Sequence, residues 1–233
     1  MKIGLHVPCY INELNPEIAR KTLLILRHFK LDVKIPTNQT CCGQPFINSG
    51  QPTTLPQQFN KIFKEFDYIV SPSSSCTSTI RSQNLEVSNK MFELCEFLHD
   101  ILRIEGIAKN HPKKIALHNS CHSLRHLLEG APSELNIPYF NKVKKVLGGE
   151  IREAKRDECC GFGGIFSMKE GFMSYVMGRN KLDDLISTGA EVITGVDFSC
   201  LMHLKSIAQK DGDNIEIKHV SEIIYESVFG DTK

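Results

Sequence analysis

The tripeptide Cys-Cys-Gly occurs twice in this chain, at residues 41–43 and 159–161. Each copy lies between two lone cysteines: Cys9 and Cys76 around the first, Cys121 and Cys200 around the second. The flanks repeat as well. LHVPC ends at Cys9 and LHNSC at Cys121, while YIVSPSSSC ends at Cys76 and VITGVDFSC at Cys200. Four matches in the same order mark an internal duplication, with repeats at 1–112 and 113–233. A chain of 233 residues is long enough for two such small domains. Only Cys95 stands outside the pattern.

Local patterning says where the cysteines fall. KIGLHVP, LDVKIPT and YIVSP read as short apolar strands, ending just before Cys9, Cys41 and Cys76. KIALHNS, GEIREAK and EVITGVD stand in the same relation to Cys121, Cys159 and Cys200. Between them lie helical stretches. Asn15 and Pro16 read as a cap and first turn, followed by Ile18, Thr22, Leu26 and Phe29 at helical spacing. Phe59, Ile62, Phe63 and Phe66 mark a second helix, and residues 166–188 another. A last strand and helix, IEIKHV and SEIIYESVF, close the pattern. Alternating strands and helices predict an α/β fold of two duplicated lobes, each a mostly parallel sheet flanked by helices. Ligands of such sheets sit beyond the carboxyl ends of the strands, where every patterned cysteine is expected. Cys9, Cys41, Cys42 and Cys76 then converge on one site, and Cys121, Cys159, Cys160 and Cys200 on a second.

Nine cysteines are too many for indifferent core packing in a reducing compartment. The first residues contain no signal-peptide pattern and no apolar run of membrane-spanning length, so a cytoplasmic protein is expected. Net charge is +1 with no basic block, which argues against nucleic acid as a partner. Soft sulfur donors select zinc, copper(I) or iron–sulfur clusters. Adjacent cysteines are awkward around one small ion but can reach different irons of a cluster, which favours iron–sulfur over zinc. A bare redox dithiol is the third possibility.

The phrases QTCCGQP, SCHSLR, CCGFGG, TGAEVI and DFSCLMHL together resemble the cysteine-rich CCG-domain family. The likeness is nearest to its lactate utilization protein A branch and more distant to the cysteine-rich component of heterodisulfide reductase. It spans nearly the whole chain. It implies iron–sulfur clusters, up to one four-iron cluster per repeat, held by the eight patterned cysteines. It also implies an electron-transfer role in oxidising L-lactate to pyruvate. Companion subunits, one of them a ferredoxin-like iron–sulfur protein, would share the work, and the single chain is not expected to be active alone. The rival readings are a zinc-stabilised scaffold protein and a stand-alone thiol–disulfide oxidoreductase.

One departure stands out. The fuller family motif ends in Cys-x-x-Cys, whereas this chain has Ser73 three places before Cys76 and Asp197 three places before Cys200. Four cysteines per site fit an ordinary four-iron cluster better than the unusual five-cysteine kind. Asp197 is expected to cap a helix rather than to bind metal. His203 lies three residues after Cys200, and His122 and His126, one turn apart, follow Cys121; either set could bind metal or donate a hydrogen bond to cluster sulfur, and packing or hydrogen bonding is the reading preferred. His6 and His118, three places before a cysteine, are expected on the opposite strand face and hence structural. Cys95, among Met91, Leu94, Leu98 and Leu102, is expected in a helix core. Arg125, Arg156 and Lys169 read equally well as solvated surface or as charges balancing a cluster. The GFGG turn at 161–164 lacks a dinucleotide-binding spacing and is expected to allow close backbone approach.

Overall fold

The computed structural model describes residues 1–230. The first repeat runs β1 (Lys2–Leu5), α1 (Cys9–Leu14), α2 (Pro16–His28), β2 (Asp32–Lys34), α3 (Gln44–Asn48), α4 (Leu55–Phe63), β3 (Tyr68–Ser71), α5 (Ser74–Ser82), β4 (Met91–Glu93) and α6 (Leu94–Glu96). A π-helical turn, Phe97–Ile101, prolongs α6. The second runs β5 (Ile115–Leu117), a π turn at His122–His126, α7 (Lys142–Leu147), β6 (Ile151–Glu153), α8 (Ile165–Lys169), α9 (Gly171–Ser187), β7 (Val192–Gly195), α10 (Phe198–Asp211), β8 (Glu216–His219) and α11 (Val220–Phe229). All strand pairs are parallel. The strand orders, β2-β1-β3-β4 and β6-β5-β7-β8, are the same pattern twice. The duplication read from the cysteines is therefore a duplication of topology. Among the described residues, no helix is long and apolar enough to cross a membrane.

The strands are short and apolar because both faces are covered. Ile3, Leu5 and Val70 from the first sheet share one buried cluster with Ile115, Leu117 and Val192 from the second. Helices α2 and α11 pack across the two halves, with Lys21 bonded to Glu222 at 3.2 Å. The repeats thus share a core as well as a plan.

Two local expectations need correction. Met91 belongs to a fourth strand of the first sheet, and only the residues after it turn into helix. Apolar residues at helical spacing across Met91–Leu102 concealed that strand; pairing of Ile69 with Met91 and Val70 with Phe92 makes it one. It has a counterpart in β8. Each leads into a capping box, Glu93 with Glu96 and His219 with Glu222. Cys95 is fully buried in the short helix that follows, and belongs to the shared core rather than to either site. Asn15 stands at the start of α2 but its side chain makes no capping bond. Chain direction there is set by Pro16 and by the turn out of α1.

Candidate metal centre

Strand order reverses between β1 and β3, and again between β5 and β7. Connections leave such a point in opposite directions and open a crevice at the carboxyl ends of the strands. Cys9 begins α1 just after β1, and Cys76 lies in the first turn of α5 just after β3. Cys121 follows β5 directly before the His122–His126 turn, and Cys200 lies in the first turn of α10 after β7. The Cys-Cys-Gly units enter from the loops after β2 and β6. Helix N-termini present unpaired N–H groups and a positive dipole end, which favour thiolate.

The expected foursomes do assemble. Cys9 Sγ lies 3.6 Å from Cys41 Sγ, and Cys42 Sγ lies 3.4 Å from Cys76 Sγ. In the second repeat Cys121, Cys159, Cys160 and Cys200 line one cavity, and the sulfurs of Cys160 and Cys200 lie within 4.8 Å of each other. None of the nine cysteines is in a disulfide. Cys42 and Cys160 are each 2% exposed, while Cys9 is open to solvent. The glycine of each unit has two jobs. Gly43 (φ +89°) and Gly161 (φ +84°) take the left-handed conformation that lets the chain turn back on itself. Each then donates its N–H to the first sulfur of its unit, Cys41 or Cys159, at 3.4 Å. A Cβ on Gly161 would also come within 2.7 Å of Met177 Cβ and the Ser174 carbonyl oxygen.

The charge state of the foursomes bears on what they can hold. Hydrogen bonds from the Cys42 and Cys9 thiols, and from Gly43, push the Cys41 thiol far down. Bonds with Cys121 and Cys160 do the same for Cys159. The hydrogen bond to Cys41 pushes Cys9 and Cys42 up, as that to Cys159 pushes Cys121 and Cys160. Sulfurs this close repel one another as anions, so a thiolate at Cys41 or Cys159 is formed at the expense of its neighbours Cys9 and Cys42 or Cys121 and Cys160. Full ionisation needs positive charge at the centre. A soft metal ion or an iron–sulfur cluster supplies it and displaces the remaining protons. The donor set therefore fits such a group.

Both foursomes line one cavity of about 360 Å³ between the repeats. Tyr10, Gln44, His122, Phe162 and Asp197 are among the other residues of its wall. Gln44 Nε2 from the first repeat meets His122 Nε2 from the second at 3.1 Å. The two sites expected from the sequence are thus neighbours across a shared cleft.

Of the two residues standing in place of the extra family cysteines, Ser73 serves its own repeat and Asp197 ties the two halves together. Ser73 caps α5, its Oγ accepting the Cys76 N–H at 3.3 Å. Asp197 caps α10 by accepting from the Ser199 N–H (3.3 Å) and Oγ (2.8 Å). The same carboxylate accepts from the Ser75 N–H (2.8 Å), Ser74 Oγ (3.0 Å) and Tyr10 Oη (3.1 Å) of the other repeat. Burial alone would raise the pKa of Asp197; the Ser199 and Ser75 bonds and the nearby His122 outweigh it and hold the carboxyl ionised. All its bonding capacity toward neighbours is in use, so it acts as a cap and an interrepeat tie.

Of the histidines, His203 bonds the Ser174 carbonyl oxygen at 3.3 Å, and His126 is exposed. His6 packs edge-on against Phe59, with Nδ1 3.0 Å from Ser71 Oγ. His118 departs from expectation. Its ring does not turn away from the site: one ring nitrogen and the sulfurs of Cys160 and Cys200 lie within 4.8 Å of one another. Strand alternation could not foretell this, because β5 ends at Leu117 and parity is lost in the turn before Cys121. Burial pushes both His6 and His118 down to about 4, so both rings are neutral. Arg125 pairs with Glu134 and Asp157, Arg156 with Glu158 and Asp184, and Lys169 is exposed. None of these three lines the cleft. Tyr10 and Gln44 carried no signal in the sequence, since only folding brings them to the other repeat.

Comparison with known proteins agrees with this architecture. The model of the CCG cysteine-rich domain matches residues 3–81 and again 115–205, once in each repeat. Lactate utilization protein A of Shouchella clausii is 32% identical, over 96% of this chain and 98% of that protein. The protein of the same name from an Exiguobacterium strain is 34% identical over 97% and 98%. That from Bacillus subtilis is 30% identical over 96% and 99%. With both repeats matched and relatives aligned over nearly their full lengths, this chain belongs to the CCG cysteine-rich domain family.

Proposed function

We propose that the chain is an iron–sulfur electron-transfer subunit of a cytoplasmic system that oxidises L-lactate to pyruvate. The observation that carries this reading is the pair of four-cysteine sites facing one cleft, in a chain whose full-length relatives are named lactate utilization protein A. The repeats, 1–112 and 113–233, each supply one site: Cys9, Cys41, Cys42 and Cys76 in the first, Cys121, Cys159, Cys160 and Cys200 in the second. When bound, iron–sulfur clusters take up and release single electrons, and two of them match the two electrons that leave lactate. The protein's own part is to gather the thiolates at helix N-termini, to donate the Gly43 and Gly161 N–H groups to sulfur, and to fix the spacing of the two sites. Hydrogen bonds to cluster sulfurs raise reduction potential. Among the described residues, nothing lining the cleft is an obvious acceptor of hydride, so lactate reacts on a companion protein, and a ferredoxin-like iron–sulfur partner exchanges electrons here.

Anaerobic purification followed by iron and labile-sulfide analysis, with electron paramagnetic resonance of the reduced protein, tests the cofactor. Cluster signals and matching iron and sulfide support the reading. Lactate-dependent dye reduction tests the rest: activity is expected from the chain with its companions and not from the chain alone. Robust turnover by the single chain would overturn the relay role.

One observation favours a second reading. Sulfur separations of 3.4 and 3.6 Å are close to the roughly 3.8 Å between thiolates around a single tetrahedral ion with bonds of about 2.3 Å. That reading is a zinc-stabilised scaffold protein. Stoichiometric zinc with no sulfide in protein handled without oxygen would select it.

A further inference from the structure

The two sites are not equivalent, and the difference lies in a pair of matched histidines. His6 and His118 each follow the last residue of the first strand of their repeat, and each donates its backbone N–H across the sheet, to Val70 and Thr194. The strand beside them ends in Ser71 in the first repeat and Gly195 in the second. Ser71 Oγ occupies Nδ1 of His6 and holds the ring against Phe59. Gly195 has no hydroxyl to offer. A Cβ there would lie 2.9 Å from the His118 carbonyl oxygen, so the close approach of the strand end excludes a side chain.

His118 is consequently left with both ring nitrogens unpaired among the described residues, at 2% exposure. A buried polar ring without a partner is costly and uncommon, and its surroundings supply the explanation. One of its nitrogens and the sulfurs of Cys160 and Cys200 lie within 4.8 Å of one another, a span that one metal atom can bridge. Among the described residues, His6 belongs to no such group.

We propose that His118 is a metal ligand, joining Cys160 and Cys200 in a mixed imidazole–thiolate centre, while the first repeat binds through thiolate alone. This rests on the reading of the cysteine foursomes as metal centres, whether the metal is iron in a cluster or zinc. Imidazole suits both metals. With iron, a neutral imidazole that takes the place of one of the four thiolates removes negative charge and raises reduction potential; one that adds to all four leaves the charge unchanged.

The test uses the full chain, anaerobically loaded with ferrous iron and sulfide, then reduced and examined by pulsed electron paramagnetic resonance. Protein labelled with ¹⁵N-histidine should show a strongly coupled histidine nitrogen. The coupling should persist in His6→Gln and vanish in His118→Gln. A second arm loads zinc alone into the Cys41→Ser/Cys42→Ser double variant, which isolates the second site, and records zinc-edge X-ray absorption. Imidazole scattering is expected there, with at least about tenfold weaker zinc binding when His118→Gln is added. Iron and sulfide uptake without a coupled histidine nitrogen overturns the proposal, as does a coupling lost in His6→Gln instead. If His118→Gln does not fold, a labelled wild type with no coupled histidine nitrogen still refutes the proposal, and a coupling that survives His6→Gln supports it. Failure to take up sulfide ends the cluster reading alone; the zinc arm then decides on His118, and absence of imidazole scattering refutes it.

Discussion

Replacing Asp197 by alanine should be among the most damaging single changes outside the cysteines. Its carboxylate is 1% exposed and accepts bonds from Ser75, Ser74 and Tyr10 in one repeat and from Ser199 in its own. Hydrogen bonds to a charged group are worth about 1.5–3 kcal/mol each when one is deleted. They do not add, because all of them end on one group. Removing the acceptor leaves the Ser75 N–H buried without a partner, and losing the charged member of a buried network costs about 3–5 kcal/mol. For a chain of this size each kcal/mol lowers the melting temperature by about 2–4 °C, so a fall of roughly 6–20 °C is expected. Asp197→Asn keeps one acceptor oxygen but turns an amide N–H₂ toward donors, and should cost about half as much. Urea unfolding followed by circular dichroism measures both, and metal analysis of the same samples tests the role. A cap and tie predicts lower stability with the metal content of folded protein unchanged. Asp197→Ala within about 0.5 kcal/mol of wild type would refute the energetic argument. Selective loss of metal from the second site would make Asp197 a ligand.

The two foursomes should empty independently: Cys41→Ser or Cys42→Ser should remove one site's iron, and Cys159→Ser or Cys160→Ser the other's, as read by iron and sulfide analysis. Either change emptying both sites in folded protein would contradict two centres. Cys95→Ser, in the core and away from both sites, should keep full metal and lose roughly 1–2 kcal/mol in denaturant titration. Glu129 is buried facing Glu93, each with one carboxylate oxygen otherwise unpaired, and burial followed by repulsion from Glu96 pushes its carboxyl up from 4.5 to about 8. The folded chain therefore keeps a proton that the unfolded chain releases above pH 4.5, and stability should fall between about pH 4.5 and 8, by up to ~1.4 kcal/mol per pH unit. Glu129→Gln should flatten that slope in urea titrations across the range; an unchanged slope would place the proton elsewhere.

Much of this molecule is written locally. A short apolar run before each cysteine is enough to make a buried parallel strand, since its backbone can be satisfied only in a ladder and its side chains only in a core. The positions of Cys9, Cys41, Cys76 and their second-repeat partners at strand ends, and the buried setting of Cys95, follow from that patterning. So does the need for glycine after each cysteine pair, because the turn requires a positive φ. What the linear order cannot carry is any relation that crosses between elements. The strand at Met91 exists because β3 lies beside it, while its own three residues are as compatible with the helix that follows. Asp197 is legible as a cap for its own helix, but its bond to Ser75 depends on how the repeats dock, 122 positions apart. The single cleft between the sites has the same origin: each repeat specifies its own foursome, and the shared core of β1, β3, β5 and β7 decides that the two face each other. His118 shows the limit most sharply. Alternation assigns a side chain to a face only while the strand lasts, and beyond Leu117 the direction of the ring is set by the bare Gly195 backbone beside it and by the sulfurs it meets.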